Sequence, residues 1–231
     1  MKSSNITVYT CITGGKDNFI ENQVTGNANF VAFLDETNYS NTWKIKKAYD
    51  KFIDPRRNSR IQKILAHQYI DTEYSIYIDG NIELIAKPEE LIEKYLGDYD
   101  LAVFKHPNRD CLYDEAKVCA VRGLDDPELI IEQAKRYEDQ GFAKHKGLAE
   151  CGMIIRRHTP KVEQFNNAWW SEWCRYSKRD QISFMYALDK VGLAVNIVNE
   201  PFVIKDYTSA VRPNVAKIVT HQKYENPIPL Q

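Results

Sequence analysis

The sequence predicts an α/β domain, with a mainly parallel central sheet flanked by helices, and three observations carry that prediction. Short β-branched and aromatic runs end in polar residues: Ile6–Ile12 (ITVYTCI), Phe30–Leu34 (FVAFL) and Tyr74–Ile78 (YSIYI). Asp54-Pro55 and Asp126-Pro127 each combine a helix N-cap with a first-position proline, so helices alternate with the strands. The chain of 231 residues shows no repeat, low-complexity block or linker, which suits one domain over 1–231.

Each element has its own signal. After Ile12 the turn Thr13-Gly14-Gly15 lacks the spacing of a dinucleotide fingerprint or a P-loop lysine, which excludes both. Trp43–Lys47 fits a short strand. The helix opened by Asp54-Pro55 is expected to run to about His67. At about 100° per residue, Arg56, Arg60, Lys63 and His67 fall within about 60° of one another. Ile61, Ile64, Leu65 and Tyr69 form a separate apolar stripe, so one face packs on the sheet. The basic face is either solvated or an anion site.

Further on, Pro88 opens a helix through Leu96, and Asp100–Phe104 (DLAVF) is a strand leading into the polar stretch Lys105–Glu115. His106 and Arg109 in that stretch are candidate substrate contacts. The helix from Pro127 reaches about Gln140 and is ended by Gly141. Glu150-Cys151-Gly152 precedes a short strand, Met153–Arg156, and its glycine suits either a tight turn or close approach of a ligand to backbone. After Pro160, the i, i+4, i+8 spacing of Phe165, Trp169 and Trp173 predicts core. Ser177 and Asp180 fit a capping box, and Ala194–Val198 is a last strand. The segment 200–231 carries Pro201, Pro213, Pro227 and Pro229 and is expected to pack irregularly on the domain.

Composition removes several function classes. Lys+Arg 31 against Asp+Glu 32 leaves a formal net charge of -1, without the basic field that nucleic-acid binding needs. No apolar run could span a bilayer, and the start of the chain has no signal-peptide core. Five scattered cysteines with no CxxC predict reduced thiols, a cytoplasmic protein and no zinc site.

The stretch with most chemical content is Tyr74–Leu84, YSIYIDGNIEL. Its strand stops at Asp79-Gly80, which delivers Asp79 and Asn81 at the carboxyl end of a strand, where open α/β sheets hold ligands. Oxygen donors one residue apart can share Mg²⁺ or Mn²⁺. The same pair also makes an ordinary turn.

The ordered motifs RRNSRIQKILAH, YSIYIDGNIEL, FKHPNRDCLYDEA, GLAECGMIIRRH, WW and SKRDQISF resemble a glycosyltransferase-like family. That family was long catalogued as a domain of unknown function, and includes plant mucilage and cell-wall polysaccharide proteins. The resemblance spans about residues 53–188. It implies a GT-A-like, Rossmann-like fold and the chemistry of nucleotide-sugar transferases, with an Asp-x-Asp metal motif. Asp79 matches the first Asp of that motif and Asn81 replaces the second. His221 would complete the Mn²⁺ or Mg²⁺ shell.

Arg60, Lys63 and His67 would hold the diphosphate, and Tyr9, Thr10 and Ile12 would line the nucleotide pocket. Glu150, Cys151, Gly152 and Gln181 would touch the donor sugar, with Asp180 at the reaction centre. The implied reaction moves a hexose from a nucleotide diphosphate sugar, UDP-sugar favoured, to a sugar, oligosaccharide or glycoprotein glycan hydroxyl. Retention follows from the resemblance alone. The residues leave open whether Asp180 is a general base for inversion or steadies a cationic carbon. Loss of charge at Asn81 also fits a non-catalytic nucleotide- or carbohydrate-binding module. A phosphatase with an Asp nucleophile would need an acid where Asn81 stands.

Overall fold

A computed structural model describes residues 4–36, 38–200, 203–204 and 216–218. The strands in chain order are β1 (Ile6–Ile12), β2 (Asn29–Leu34), β3 (Lys44–Lys47), β4 (Tyr74–Ile78), β5 (Ile82–Leu84), β6 (Leu101–Lys105), β7 (Ala149–Arg157), β8 (Asn196–Val198), β9 (Val203–Ile204) and β10 (Ala216–Ile218). Seven of them form a central sheet in the order β3-β2-β1-β4-β7-β6-β8. Only β7 runs against its neighbours, β4 and β6, within that sheet. A small second sheet has the order β5-β10-β9.

The sheet is covered on both faces, which is why β1 is buried along its whole length. Alternate residues serve opposite cores: Tyr9 and Cys11 face one, Val8 and Ile12 the other. The first core takes in α1 (Pro55–Ile64), α3 (Leu112–Val121), α4 (Pro127–Asp139), α5 (Pro160–Arg175) and α6 (Asp180–Val191). Phe165, Trp169 and Trp173 lie fully buried in it, as their spacing predicts. The second core takes α2 (Pro88–Leu91), which continues as a π-helical turn Ile92–Leu96, together with β5 and β10.

Both Asp-Pro helix starts form as expected, with Asp54 accepting from the Arg56 amide and Asp126 from those of Glu128 and Leu129. Several expectations are corrected. Helix α1 ends at Ile64, where Leu65 leaves helical geometry, and a 3₁₀ turn Ala66–Gln68 follows. Helix α3 grows out of a stretch whose polarity gave no helical stripe. Strand β7 starts at Ala149 and includes Glu150-Cys151-Gly152, which form part of the strand instead of a turn before it. Residues 203–204 and 216–218, expected in an irregular tail, are short strands.

The capping box does not form. Arg179 occupies the N-cap position of α6 without a side-chain cap, and the Ser177 hydroxyl donates 2.6 Å across to Gln133 Oε1 on α4. Both groups are buried, so the bond pins two helices together. Ser177→Ala is therefore expected to cost about 1–3 kcal/mol by orphaning a buried acceptor. A double-mutant cycle with Gln133→Leu in urea unfolding should show coupling of about 1 kcal/mol; additive effects would contradict the pairing.

Candidate functional site

The site lies at the carboxyl ends of β1 and β4, where the parallel strands splay and helix starts converge. Asp79 follows β4 directly. Its amide donates to the Gly152 carbonyl at 2.9 Å, so β7 fixes the turn from the other side. Pairing between β6 and β7 jumps at this level, from Val103 opposite Ile154 to Phe104 opposite Glu150. The extra residues bulge β7 toward Asp79, a familiar device for aiming backbone beside a site.

Lys63 organises the charges. It is 1% exposed, and its Nζ lies 2.7 Å from Asp180 Oδ2 and 3.4 Å from Asp79 Oδ1. Arg60, one turn earlier on α1, places Nε 3.1 Å from the same Asp180 oxygen. The Tyr77 hydroxyl donates to Asp79 Oδ1 at 2.7 Å, and Lys63 Nζ sits 4.8 Å from the Tyr77 ring centroid. Asp180 opens α6; Trp169 Nε1 donates to its carbonyl at 3.1 Å, and the Gln181 amide to its Oδ1 at 3.1 Å. Arg179 donates to Gln181 Oε1 at 3.1 Å.

These contacts set the ionisation states. Burial by itself raises the Asp180 carboxyl, but Lys63, Arg60 and Arg179 outweigh it and hold the group far below the usual carboxylate range. Burial likewise raises Asp79, and Lys63, Arg60 and Lys16 more than offset it, so this carboxyl is also lowered. Burial and the Asp79 charge push the Tyr77 hydroxyl well up, so it stays a donor. Burial pushes the Cys151 thiol well up too, which makes it an inert wall.

The structure brings Asp79, Arg60, Lys63, Asp180 and Gln181 together and moves other expected residues elsewhere. His67 lies past the end of α1, facing α5, where Nδ1 meets Asn166 at 3.2 Å and Nε2 is 3.9 Å from Glu163. Tyr9 is buried beneath α1; its hydroxyl donates to the Lys63 carbonyl and accepts from Arg156, so it supports the site without lining it. Thr10 points to the opposite face of the sheet, into a small cavity with Phe19 and Trp43. Ile12 does line the cleft, as expected.

His106 and Arg109 are tied inward. His106 Nδ1 accepts from the Asn108 and Arg109 amides, and Arg109 Nε lies 2.5 Å from buried Glu115. Glu150 and Cys151 lie on the β7 bulge, Cys151 close enough to Asp180, Lys63 and Asp79 to feel their charges. Asn81 is buried in the turn. His221 lies outside the described residues.

Sequence reasoning missed other cleft residues. Lys16, Asp17 and Lys178 line the opening together with Arg56, Arg60 and Asp79. Lys16 and Asp17 follow the Gly14-Gly15 turn directly, and that position at the end of β1 was the available signal. Gly80 is close-packed: a Cβ there would stand 2.6 Å from Ile12 Cγ1 and 3.1 Å from Asp17 Oδ2. Among the described residues, Cys111, Asp114 and His145 also offer ligand atoms within 4.8 Å of one another, outside this cleft.

Comparison with known proteins fits this geometry. The model of the TOD1/MUCI70, glycosyltransferase-like domain family matches residues 1–221. The chain is 28% identical over 175 residues to the Arabidopsis thaliana protein named "Probable hexosyltransferase MUCI70", covering 71% of this chain and 30% of that one. It is 26% identical over 188 residues to "Alkaline ceramidase TOD1" of the same plant, covering 76% of this chain and 41% of that one. The chain thus spans less than half the length of either relative. The crystal structure of galactosyltransferase LgtC, in complex with donor and acceptor sugar analogs, matches with a TM-score of 0.51 at 11% identity over 92% of this chain and 86% of that one. That likeness is one of fold, and the fold is GT-A.

The lowered carboxyls have a consequence for acid stability. Groups that titrate lower folded than unfolded contribute stability fully above about pH 4, and it is lost as pH falls through their folded values. Asp180→Asn should therefore make the acid-side decline shallower when urea midpoints are compared from about pH 5 to about pH 2. An unchanged slope would mean that the Lys63 and Arg60 contacts do not hold Asp180 ionised.

Proposed function

The chain belongs to the TOD1/MUCI70 glycosyltransferase-like family, and from that premise we propose that its cleft transfers a hexose from a nucleotide diphosphate sugar to a sugar or glycan hydroxyl, with retention. The observation that carries the proposal is the Asp79–Lys63–Asp180 array with Arg60, set at the carboxyl ends of β1 and β4 in a GT-A fold. A UDP-sugar is the favoured donor, on resemblance. The proposed unit is one domain over 1–231. Its proposed setting is cytoplasmic, which five unbridged cysteines suit.

In this reading the bond from the anomeric carbon to the diphosphate oxygen breaks as the acceptor oxygen attacks. The acceptor proton passes to the departing diphosphate. Arg60, Arg56 and Lys16 line the cleft and supply the positive partners for that diphosphate. Lys63 is too enclosed for this and acts through the two carboxylates. Asp180 is a poor general base, because its cations hold it ionised and weakly basic. Its suitable role is to face the anomeric carbon as charge develops there, with Gln181 accepting from donor hydroxyls.

Mn²⁺ or Mg²⁺ fits the donor chemistry. The Asp79 side chain is 31% exposed toward the cleft, Asp17 Oδ2 packs on Gly80 beside it, and Asn81 adds a neutral oxygen. Bound there, the cation would offset charge on the diphosphate, with His221 a proposed further ligand. An amidase acting on ceramide, which the name of one relative raises, would need an apolar channel. Lys16, Arg56 and Arg60 instead suit an anionic ligand.

Calorimetry with a panel of nucleoside diphosphates and nucleotide sugars, with and without Mn²⁺, tests the proposal. One nucleotide should bind in a metal-dependent way, lost in Asp79→Ala and weakened about tenfold or more in Arg60→Met. Metal-independent binding that survives Asp79→Ala would favour a non-catalytic binding module. No nucleotide bound under either condition would sink the transferase reading and leave a carbohydrate-binding module.

A further inference from the structure

The polar stretch before α3 contains a feature that the cleft does not use. Cys111 is the N-cap residue of α3, 2% exposed, and Asp114 lies three residues on. His145 comes from the loop between α4 and β7. Their ligand atoms lie within 4.8 Å of one another. His145 Nδ1 is 2.8 Å from Asp110 Oδ1, and His145 holds φ +56, the one positive φ at a non-glycine among the described residues. A carboxylate on one imidazole nitrogen is how a metal-ligating histidine is usually oriented. A strained backbone at that same residue agrees with an imposed position.

We propose that Cys111, Asp114 and His145 form a zinc site separate from the donor cleft. A thiolate, a carboxylate and an imidazole make a borderline-soft set that selects Zn²⁺, whereas the hard oxygens at Asp79 suit Mn²⁺ or Mg²⁺. Zn–S of about 2.3 Å and Zn–N of about 2.0–2.1 Å require the three atoms to close by roughly an ångström. The movement falls to exposed side chains: Asp114 is 48% exposed and pairs weakly with Lys117 at 3.6 Å, and His145 can follow together with its exposed partner Asp110.

With Nδ1 on Asp110, Nε2 would be the nitrogen offered to the metal, the Cys111 thiol would give up its proton to solvent, and water would fill the fourth position. The ion would clamp the start of α3 to the loop that feeds β7, and so stiffen the approach to the bulge beside Asp79. The proposal does not depend on the sugar-transfer reading.

Cobalt substitution in the full chain, stripped with chelator, tests it. Co²⁺ should give a thiolate-to-metal charge-transfer band that saturates at one ion per chain and is displaced by Zn²⁺ but not Mn²⁺. Cys111→Ser and His145→Ala should each abolish the band, and Cys174→Ser should leave it. Asp110→Asn should weaken binding by roughly 10–100-fold. His145→Ala alters an exposed side chain, so its folding can be checked by circular dichroism where Cys111→Ser fails to fold. No thiolate band, or one removed by Cys174→Ser, would overturn the site as an adventitious surface thiol only. Full affinity in Asp110→Asn would overturn the oriented-histidine geometry.

Discussion

A buried ammonium dictates how this site is assembled. Lys63 is almost wholly removed from water, and a charge in that position is tolerable only when paired and hydrogen-bonded. Its partners come from separate parts of the chain, Asp79 after β4 and Asp180 at the start of α6. Neither carboxylate could sit so close to the other without the cation between them. Helix α1, the end of β4 and the start of α6 must therefore converge, and the cleft is the space they leave.

The backbone of Lys63 is held as firmly as its side chain. Its carbonyl accepts from Tyr9 and from Arg156, itself fully buried across the sheet. Trp169, at the centre of the aromatic core, holds the Asp180 carbonyl. The same packing that stabilises the domain thus fixes the Asp180 end of the cleft, the kind of preorganisation that the proposed transfer would need. Glu115 plays the corresponding part on the far side of α6. Buried Glu115 gathers Arg109 and Arg179, and Arg179 in turn holds Gln181.

The expected site residues that the structure brings together are those whose local signal and tertiary position coincide. Asp79 follows a strand that any register would end at Asp-Gly, and Arg60 and Lys63 lie within a helix whose start is marked by Asp54-Pro55. His67 failed for a local reason, since it was phased with a helix that stops three residues earlier. Tyr9 failed because strand alternation gives two faces but does not say which faces a ligand. His106 and Arg109 resembled surface polar residues, yet they serve a glutamate whose burial no linear pattern announces. Lys16 becomes a cleft residue only because the loop after β1 meets the first turn of α1 in space, beside Arg56.

By itself the sequence determined the alternation of strands and helices, the helix starts, the aromatic core and the Asp79 turn, because these depend on neighbours within about one turn or one strand. It also carried the family resemblance through motifs spread along the chain. The tertiary structure decided which charges meet. Lys63 reads as one cation of a helical stripe, and only its burial between Asp79 and Asp180 makes it the hinge of the site. Pairing of that kind depends on contacts across more than a hundred residues of chain, and the cost of an unpaired buried charge is a property of the assembled core.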